Sequence, residues 1–212
     1  MKIDLRKLKT YWINLKDHEQ NATEMVEMLG RLGFENHERV PGIRVSGFEK
    51  RVDRNRFPLD YFMGVGLAQM NAIKTVKGSL PALVLEDDVK ESEHFEPVIE
   101  VPDDADAVYL GLSECDKSYG HQISDKFARI YDMQCGHAIV YLSQKYTDEV
   151  MEVGKYCLIN EQIAFDHGTR HIMKQYNVYA PLNPYFYQAA SRTSSHKWEE
   201  GTKKPLNIVP KP

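Results

Sequence analysis

"PALVLEDDVKES", residues 81–92, begins as an apolar run and ends with Glu86, Asp87 and Asp88 side by side. Ala82 to Leu85, bounded by Pro81 and an acidic turn, read as a short buried strand. Three carboxylates packed at a strand end repel one another and raise each other's pKa unless a cation neutralises them. In an open α/β sheet, the carboxyl end of a strand is also where ligands bind.

The flanking segments complete the pattern. "LKTYWINL" at 8–15 predicts a first buried strand, and "NATEMVEMLGRLGF" places Met25, Met28, Leu29 and Leu32 at helical spacing before Gly33. Asn21 reads as the N-cap of that helix. A short second strand is expected within "ENHERVPGIRV", followed by a loop carrying Arg44, Lys50, Arg51, Arg54 and Arg56. After Pro58 a helical pattern runs through Phe62, Met63, Leu67, Met70, Ile73 and Val76 to Gly78. "AVYLGL" at 107–112 and "HAIVYLS" at 137–143 read as further strands, with a helix from Lys145 to Tyr156 after them. The alternation argues for an α/β layered fold with a mostly parallel central sheet. From Ser191 the chain turns polar and gains Pro205, Pro210 and Pro212, so 191–212 is expected to be a mobile tail or a lid on a single domain spanning 1–190.

Composition narrows the function classes. At 42% hydrophobic and 27% charged residues with a net charge of -4, the 212-residue chain has the profile of one globular domain and none of the basic excess that nucleic-acid binding needs. No stretch of about 18 apolar residues predicts a transmembrane segment, and the start lacks an apolar signal core, so a cytoplasmic protein is expected. Cys115, Cys135 and Cys157 have neither paired spacing nor an even count, which fits packing residues in a reducing compartment.

Hard cations such as Mg²⁺ and Mn²⁺ use one or two protein carboxylates together with substrate phosphates, so the acidic triplet points to a metal and a nucleotide diphosphate. A solvated turn would carry the same residues. A phospho-receiver would place its acids after the first strand, and a phosphatase nucleophile would lead a D-x-D motif. Gly64 and Gly66 lack the third glycine of a dinucleotide fingerprint, Gln69 standing in its place, and are read as helix-packing residues. "DHGTRH" at 166–171 spaces His167 and His171 like zinc ligands but has Gly168 where a zinc protease carries Glu. Neither a nucleophile elbow nor a Walker A sequence is present.

Taken in order, several segments resemble glycosyltransferase family 25, the group of lipooligosaccharide and collagen galactosyltransferases. They are "WINL", "MLGRLGFENHERVPG", "GVGLAQMNAIKTV", "PALVLEDDV", "CGHAIVYLS", "IAFD" and "PYFYQAASRTSSH", covering roughly residues 10–196. The chain departs from the family at Met70-Asn71, where Ser-His is usual, at Cys135 and Ile139, which replace Gly and Tyr, and at Lys16, Asp17 and His18, which replace arginines. The resemblance implies a GT-A-type three-layer sandwich. It also implies a metal-dependent inverting enzyme moving a hexose, galactose or glucose, from a UDP-sugar donor to a hydroxyl of a glycan or other acceptor. Bacterial or viral lipopolysaccharide biosynthesis is the implied setting, and a non-catalytic module binding a nucleotide sugar or glycan is the alternative.

On that resemblance Asp88 is expected to ligate Mn²⁺ or Mg²⁺, joined by His196, with Glu86 and Asp87 turned to the donor ribose and sugar. Asn14, Leu15 and Lys16, at the end of the first strand, are expected at the base and ribose. Gln188 and Ser191 match the closing element and are expected at the donor phosphate or the acceptor. Asp166 matches the family's base for the acceptor hydroxyl, with two readings open, base or helix cap, and Glu161 is the other candidate. His137 reads as structural, its ring hydrogen-bonded near the site.

Overall fold

The computed structural model describes residues 1–47, 59–112, 118–134, 136–161, 163–190 and 196–209. Chain order begins β1 (Lys2–Asp4), β2 (Lys9–Asn14), α1 (Glu19–Leu32), β3 (His37–Pro41), α2 (Leu59–Val76), β4 (Ala82–Glu86), β5 (Val89–Glu91), β6 (Val98–Glu100) and β7 (Ala107–Tyr109). It continues with β8 (Ser118–Gln122), β9 (Phe127–Asp132), β10 (Ala138–Tyr141), α3 (Gln144–Tyr156), α4 (Phe165–Ile172), β11 (Val178–Pro181), β12 (Phe186–Gln188), α5 (His196–Thr202) and β13 (Ile208–Val209).

Nine of these strands form one sheet in the order β13-β8-β9-β11-β7-β10-β4-β2-β3. Side chains alternate across it and divide the core in two. Tyr11, Val84, Ile139 and Tyr141 pack with Ile73 and Val76 of α2, Tyr146 of α3 and Phe165 of α4. Trp12, Leu83, Leu85 and Val140 pack on the other side with Met25, Met28 and Leu29 of α1. Three layers result, as an α/β sandwich requires. β4 lies in the middle of them, and its Ala82 to Leu85 are fully buried, each large side chain contributing roughly 1.5–3 kcal/mol of burial.

The sheet is mixed where a mostly parallel one was expected. β2 runs parallel to both β3 and β4, but β10 is antiparallel to its neighbours β4 and β7. A strand buried on both faces reads as the same apolar run in either direction, so residue types carry no sign of the reversal. β1 pairs with β6 and β5 with β12, each antiparallel and outside the main sheet.

The parallel part positions the site. β2 is flanked by β3 on one side and β4 on the other, and α1 and α2 cover opposite faces. A crevice therefore opens at the carboxyl ends of β2 and β4, the topological switch point of the sheet. α1 ends at Gly33, whose φ of 83° lets its N–H reach Gly30 O while Phe34 N reaches Leu29 O at 2.9 Å. Its start departs from expectation: His18, not Asn21, is the N-cap, and Asn21 lies inside the helix. α3 begins at Ser143, whose Oγ accepts from Tyr146 N.

Residues 196–209 are likewise no free tail. α5 packs on β12 through Gln188 N donating to Thr202 Oγ1 at 3.0 Å, and β13 adds a parallel edge strand to β8. Leu206 and Ile208 give this polar stretch enough apolar surface to join the core. Cys157 is buried, whereas Cys115 and Cys135 lie outside the described residues. Among the described residues no helix is long and apolar enough to cross a membrane.

Gly64 and Gly66 are contact glycines, as read. A Cβ on Gly64 would stand 2.5 Å from Ile43 O, and one on Gly66 would stand 2.7 Å from Leu158 Cδ2. A backbone carbonyl cannot step aside, but a leucine tip can. Gly64→Ala is therefore expected to cost about 1–3 kcal/mol. Gly66→Ala should cost less than about 1 kcal/mol, because alanine's helix propensity offsets part of the crowding. Urea denaturation of the two variants checks the order.

Candidate active site

β4 delivers Glu86 as its last residue, and the turn to β5 carries Asp87 and Asp88. The backbone here is tied on both sides: Glu86 N donates to His137 O at 2.9 Å, and Ala189 N donates to Asp88 O at 2.8 Å. Antiparallel pairing of β5 with β12 sets Gln188 opposite Val89. β2, parallel to β4, ends beside it at Asn14.

Side chains from four elements then close on the acids. Gln69 of α2 donates Nε2 to Glu86 Oε1 at 2.7 Å and to Gly136 O at 3.1 Å. Gln188 donates Nε2 to Glu86 Oε2 at 3.1 Å, so both oxygens of Glu86 are occupied by amides. Asn14 donates Nδ2 to Asp87 Oδ2 and to His18 O. The Asp87 carboxylate also receives Asn21 and stands 3.7 Å from His18 Nδ1. Asp88 differs from its neighbours: it is buried, Gln188 and its own backbone N–H hold its carboxyl down against that burial, and yet its Oδ1 has no hydrogen-bond partner.

Asn14, His18, Gln69 and the three acids border a cleft of about 390 Å³, whose apolar lining includes Ile13, Leu15, Ile43 and Val45. Tyr61 reaches it from the first turn of α2, its ring partly exposed. Arg44 lines it too, paired with Asp17 at 2.5 Å. The remaining cations of the expected basic loop, Lys50, Arg51, Arg54 and Arg56, lie outside the described residues.

Enclosure and mutual repulsion shape the electrostatics. Burial, and then the charge of Asp88, pushes Glu86 up to about 8. Burial, and then Asp87, pushes Asp88 up to about 7. Asp87 is raised by burial while Asn14 and His18 hold it back. The Tyr61 phenol is raised by burial and then by Glu86, Asp88, Asp87 and Asp166. His137 is lowered to about 4 by burial, so its ring is neutral; it packs over Gly111, with Nε2 3.3 Å from Phe186 O.

Of the residues expected at the site, Asn14, Leu15, Glu86, Asp87 and Asp88 line the cleft, and Gln188 reaches them through Glu86. Lys16 is exposed and does not line it. Asp166 stands in the first turn of α4, two residues after the N-cap Ala164, where against burial its carboxyl is held down by the charge of His167, by Gln134 and by the backbone N–H groups of Asp166 and His167, so base and helix cap both stay open. Burial raises its carboxyl, and its charge adds to the rise of Glu86 and Tyr61, although it is not part of the cleft lining. Glu161 is exposed and accepts from Tyr156 OH at 3.0 Å. Ser191 and the His196 side chain lie outside the described residues.

The sequence reading missed Gln69, His18 and Tyr61 as site residues and assigned Asn21 elsewhere. For Gln69 a signal existed: it heads the run Gln69, Ala72, Ile73, Val76, a buried stripe at helical spacing with one polar member.

Among the described residues no three His, Cys, Asp or Glu side chains converge to hold a metal. Hard divalent cations completed by phosphate oxygens do not need three. The unpaired Oδ1 of Asp88, buried within an acidic cluster, fits such an ion.

No family model matches the chain, and no curated protein matches it. Among solved structures, the CTP:phosphocholine cytidylyltransferase of Streptococcus pneumoniae is similar with a TM-score of 0.45 and 9% identity, over 91% of this chain and 98% of that one. At that level the likeness carries no inference about activity.

The raised carboxyls have a stability consequence. Between the unfolded value of 4.5 and about 8 for Glu86, the folded state binds more protons than the unfolded one, so metal-free stability falls as pH rises through this window. Asp88→Asn removes one repelling charge, and at pH above about 8 without metal it should stabilise the fold by roughly 1–3 kcal/mol. Thermal melts of both proteins across this pH range, with chelator, check the sign.

Proposed function

We propose that the chain is a metal-dependent inverting glycosyltransferase of GT-A type, similar to family 25, that moves a hexose from a UDP-sugar to an acceptor hydroxyl. One observation carries the reading: a buried carboxylate oxygen without a partner, Asp88 Oδ1, in a cleft at the switch point of an α/β sheet. A carboxylate left in that state is destabilising unless a cation or donor arrives with the ligand.

Asp88 would hold Mn²⁺ or Mg²⁺, with His196 as the expected second protein ligand. When bound, that ion supplies neutralisation of the diphosphate, the leaving group. Glu86 cannot turn to the ion without giving up the hydrogen bonds donated by Gln69 and Gln188, which suits it to the donor sugar or ribose. Asn14 and Asp87 form one hydrogen-bonded unit at the end of β2, suited to the ribose hydroxyls, and Leu15 with Ile43 offers an apolar wall for the base. In a single displacement the acceptor oxygen bonds to the anomeric carbon as the carbon–phosphate-oxygen bond breaks. The acceptor proton passes to a carboxylate, and UDP departs. Asp166 is the assigned base, its raised pKa making it a stronger proton acceptor than an exposed aspartate.

The position of Asp166 outside the cleft lining favours the alternative, a module that binds the nucleotide sugar without turnover. Donor binding with neither transfer nor slow donor hydrolysis would select it.

Titration calorimetry of UDP tests the donor site. With Mn²⁺ the protein is expected to bind UDP, and excess chelator is expected to abolish binding. Asp88→Asn should weaken it by at least roughly 100-fold, beyond the 10–100-fold typical of losing a metal's outer partner. Binding that ignores both metal and Asp88 would remove the metal assignment.

A further inference from the structure

Asp88 Oδ1 is not alone in lacking a donor. Asn14 Oδ1 and Gln69 Oε1 are also buried without one, and both residues line the same cleft. Every unpaired buried side-chain atom on the described cleft residues is thus an acceptor oxygen.

Neither amide can be turned over to relieve this. Gln69 Nε2 serves the Glu86 carboxylate and the Gly136 carbonyl, and Asn14 Nδ2 serves the Asp87 carboxylate and the His18 carbonyl. A flip would set acceptor against acceptor at the Gly136 and His18 carbonyls, whatever the protonation of the carboxyls. The carbonyl oxygens are therefore fixed in place, open to a donor brought by the ligand.

Their neighbours separate the two. Asn14 shares its position with Asp87 and the apolar end of β2, the side assigned above to the nucleoside. Gln69 is bonded to Glu86, which Gln188 holds from the opposite oxygen. A hexose ring presents hydroxyls, each able to donate once. Resting on the donor-site reading above, we propose that Gln69 is a specificity-determining residue whose carbonyl oxygen accepts a hydrogen bond from one hydroxyl of the transferred hexose. The cleft would then select a ring with that hydroxyl free and reject one in which it is missing or substituted.

Calorimetry on the intact chain with Mn²⁺ tests this, comparing UDP, UDP-glucose, UDP-galactose and UDP-glucose analogues that each lack one hydroxyl. One analogue is expected to bind roughly 10–100-fold more weakly than its parent. Gln69→Leu should no longer separate the two. The ratio of sugar-nucleotide to UDP affinity carries the result, so a loss common to both cancels. Gln69→Glu, protonated against Glu86, retains an acceptor oxygen and is expected to keep the discrimination, which covers a failure of Gln69→Leu to fold. The proposal is overturned if all analogues bind as the parent does, if Gln69→Leu still discriminates, or if that variant weakens UDP as much as UDP-glucose. Absence of UDP binding by the unaltered protein would remove the donor site itself, and this inference with it.

Discussion

Glu86 is the point on which the candidate site turns. A carboxylate at the end of a fully buried apolar run must be supplied with donors by whatever approaches it, and it receives one from α2 and one from β12. Those two bonds fix how far the helix slides over the sheet and where the closing strand lies. They also leave the three acids unlike one another. Glu86 is saturated by amides, Asp87 is held by Asn14, Asn21 and His18, and Asp88 retains an open oxygen. Adjacent residues of similar chemistry thus acquire separate tasks from their second partners, and no property of the triplet itself would distinguish them.

How much of this was legible follows from which signals are local. The apolar run before Glu86, the helix ending at Gly33 and the first strand ending at Asn14 all stand where the spacing put them, because each is decided by neighbours a few residues away. Long-range facts were not legible. The antiparallel direction of β10 leaves no trace in "HAIVYLS", and the pairing of β5 with β12 joins stretches too short to read as strands.

α2 illustrates a different failure. Its large apolar residues suggested the buried face, yet Phe62, Met63, Leu67 and Met70 are only half-buried, while Gly64, Gly66, Ala68 and Gln69 are enclosed. Close approach of the Ile43 carbonyl selects for small residues on that face, so bulk misleads there. Asn21 was misread for a related reason, and of the expected tail or lid the 196–209 segment is packed and not free. A polar side chain looks like a cap or a tail until the partner that uses it, here Asp87 or Gln188, has been folded against it.

Two of the bonds that assemble the acids join residues far apart along the chain, 73 residues for Asn14 and Asp87 and 102 for Gln188 and Glu86, while Gln69 and Glu86 are 17 apart. Loop-closure entropy grows only logarithmically with such separations, so they weigh little on the final stability. They weigh on rate, because contacts of this range, the pairing of Lys9 with Ala82 between β2 and β4 among them, raise the contact order and slow the search for the native state. The cleft consequently cannot be assembled ahead of the long-range part of the fold: until β2 lies beside β4, and β12 beside β5, Asp87 lacks Asn14 and Glu86 lacks Gln188.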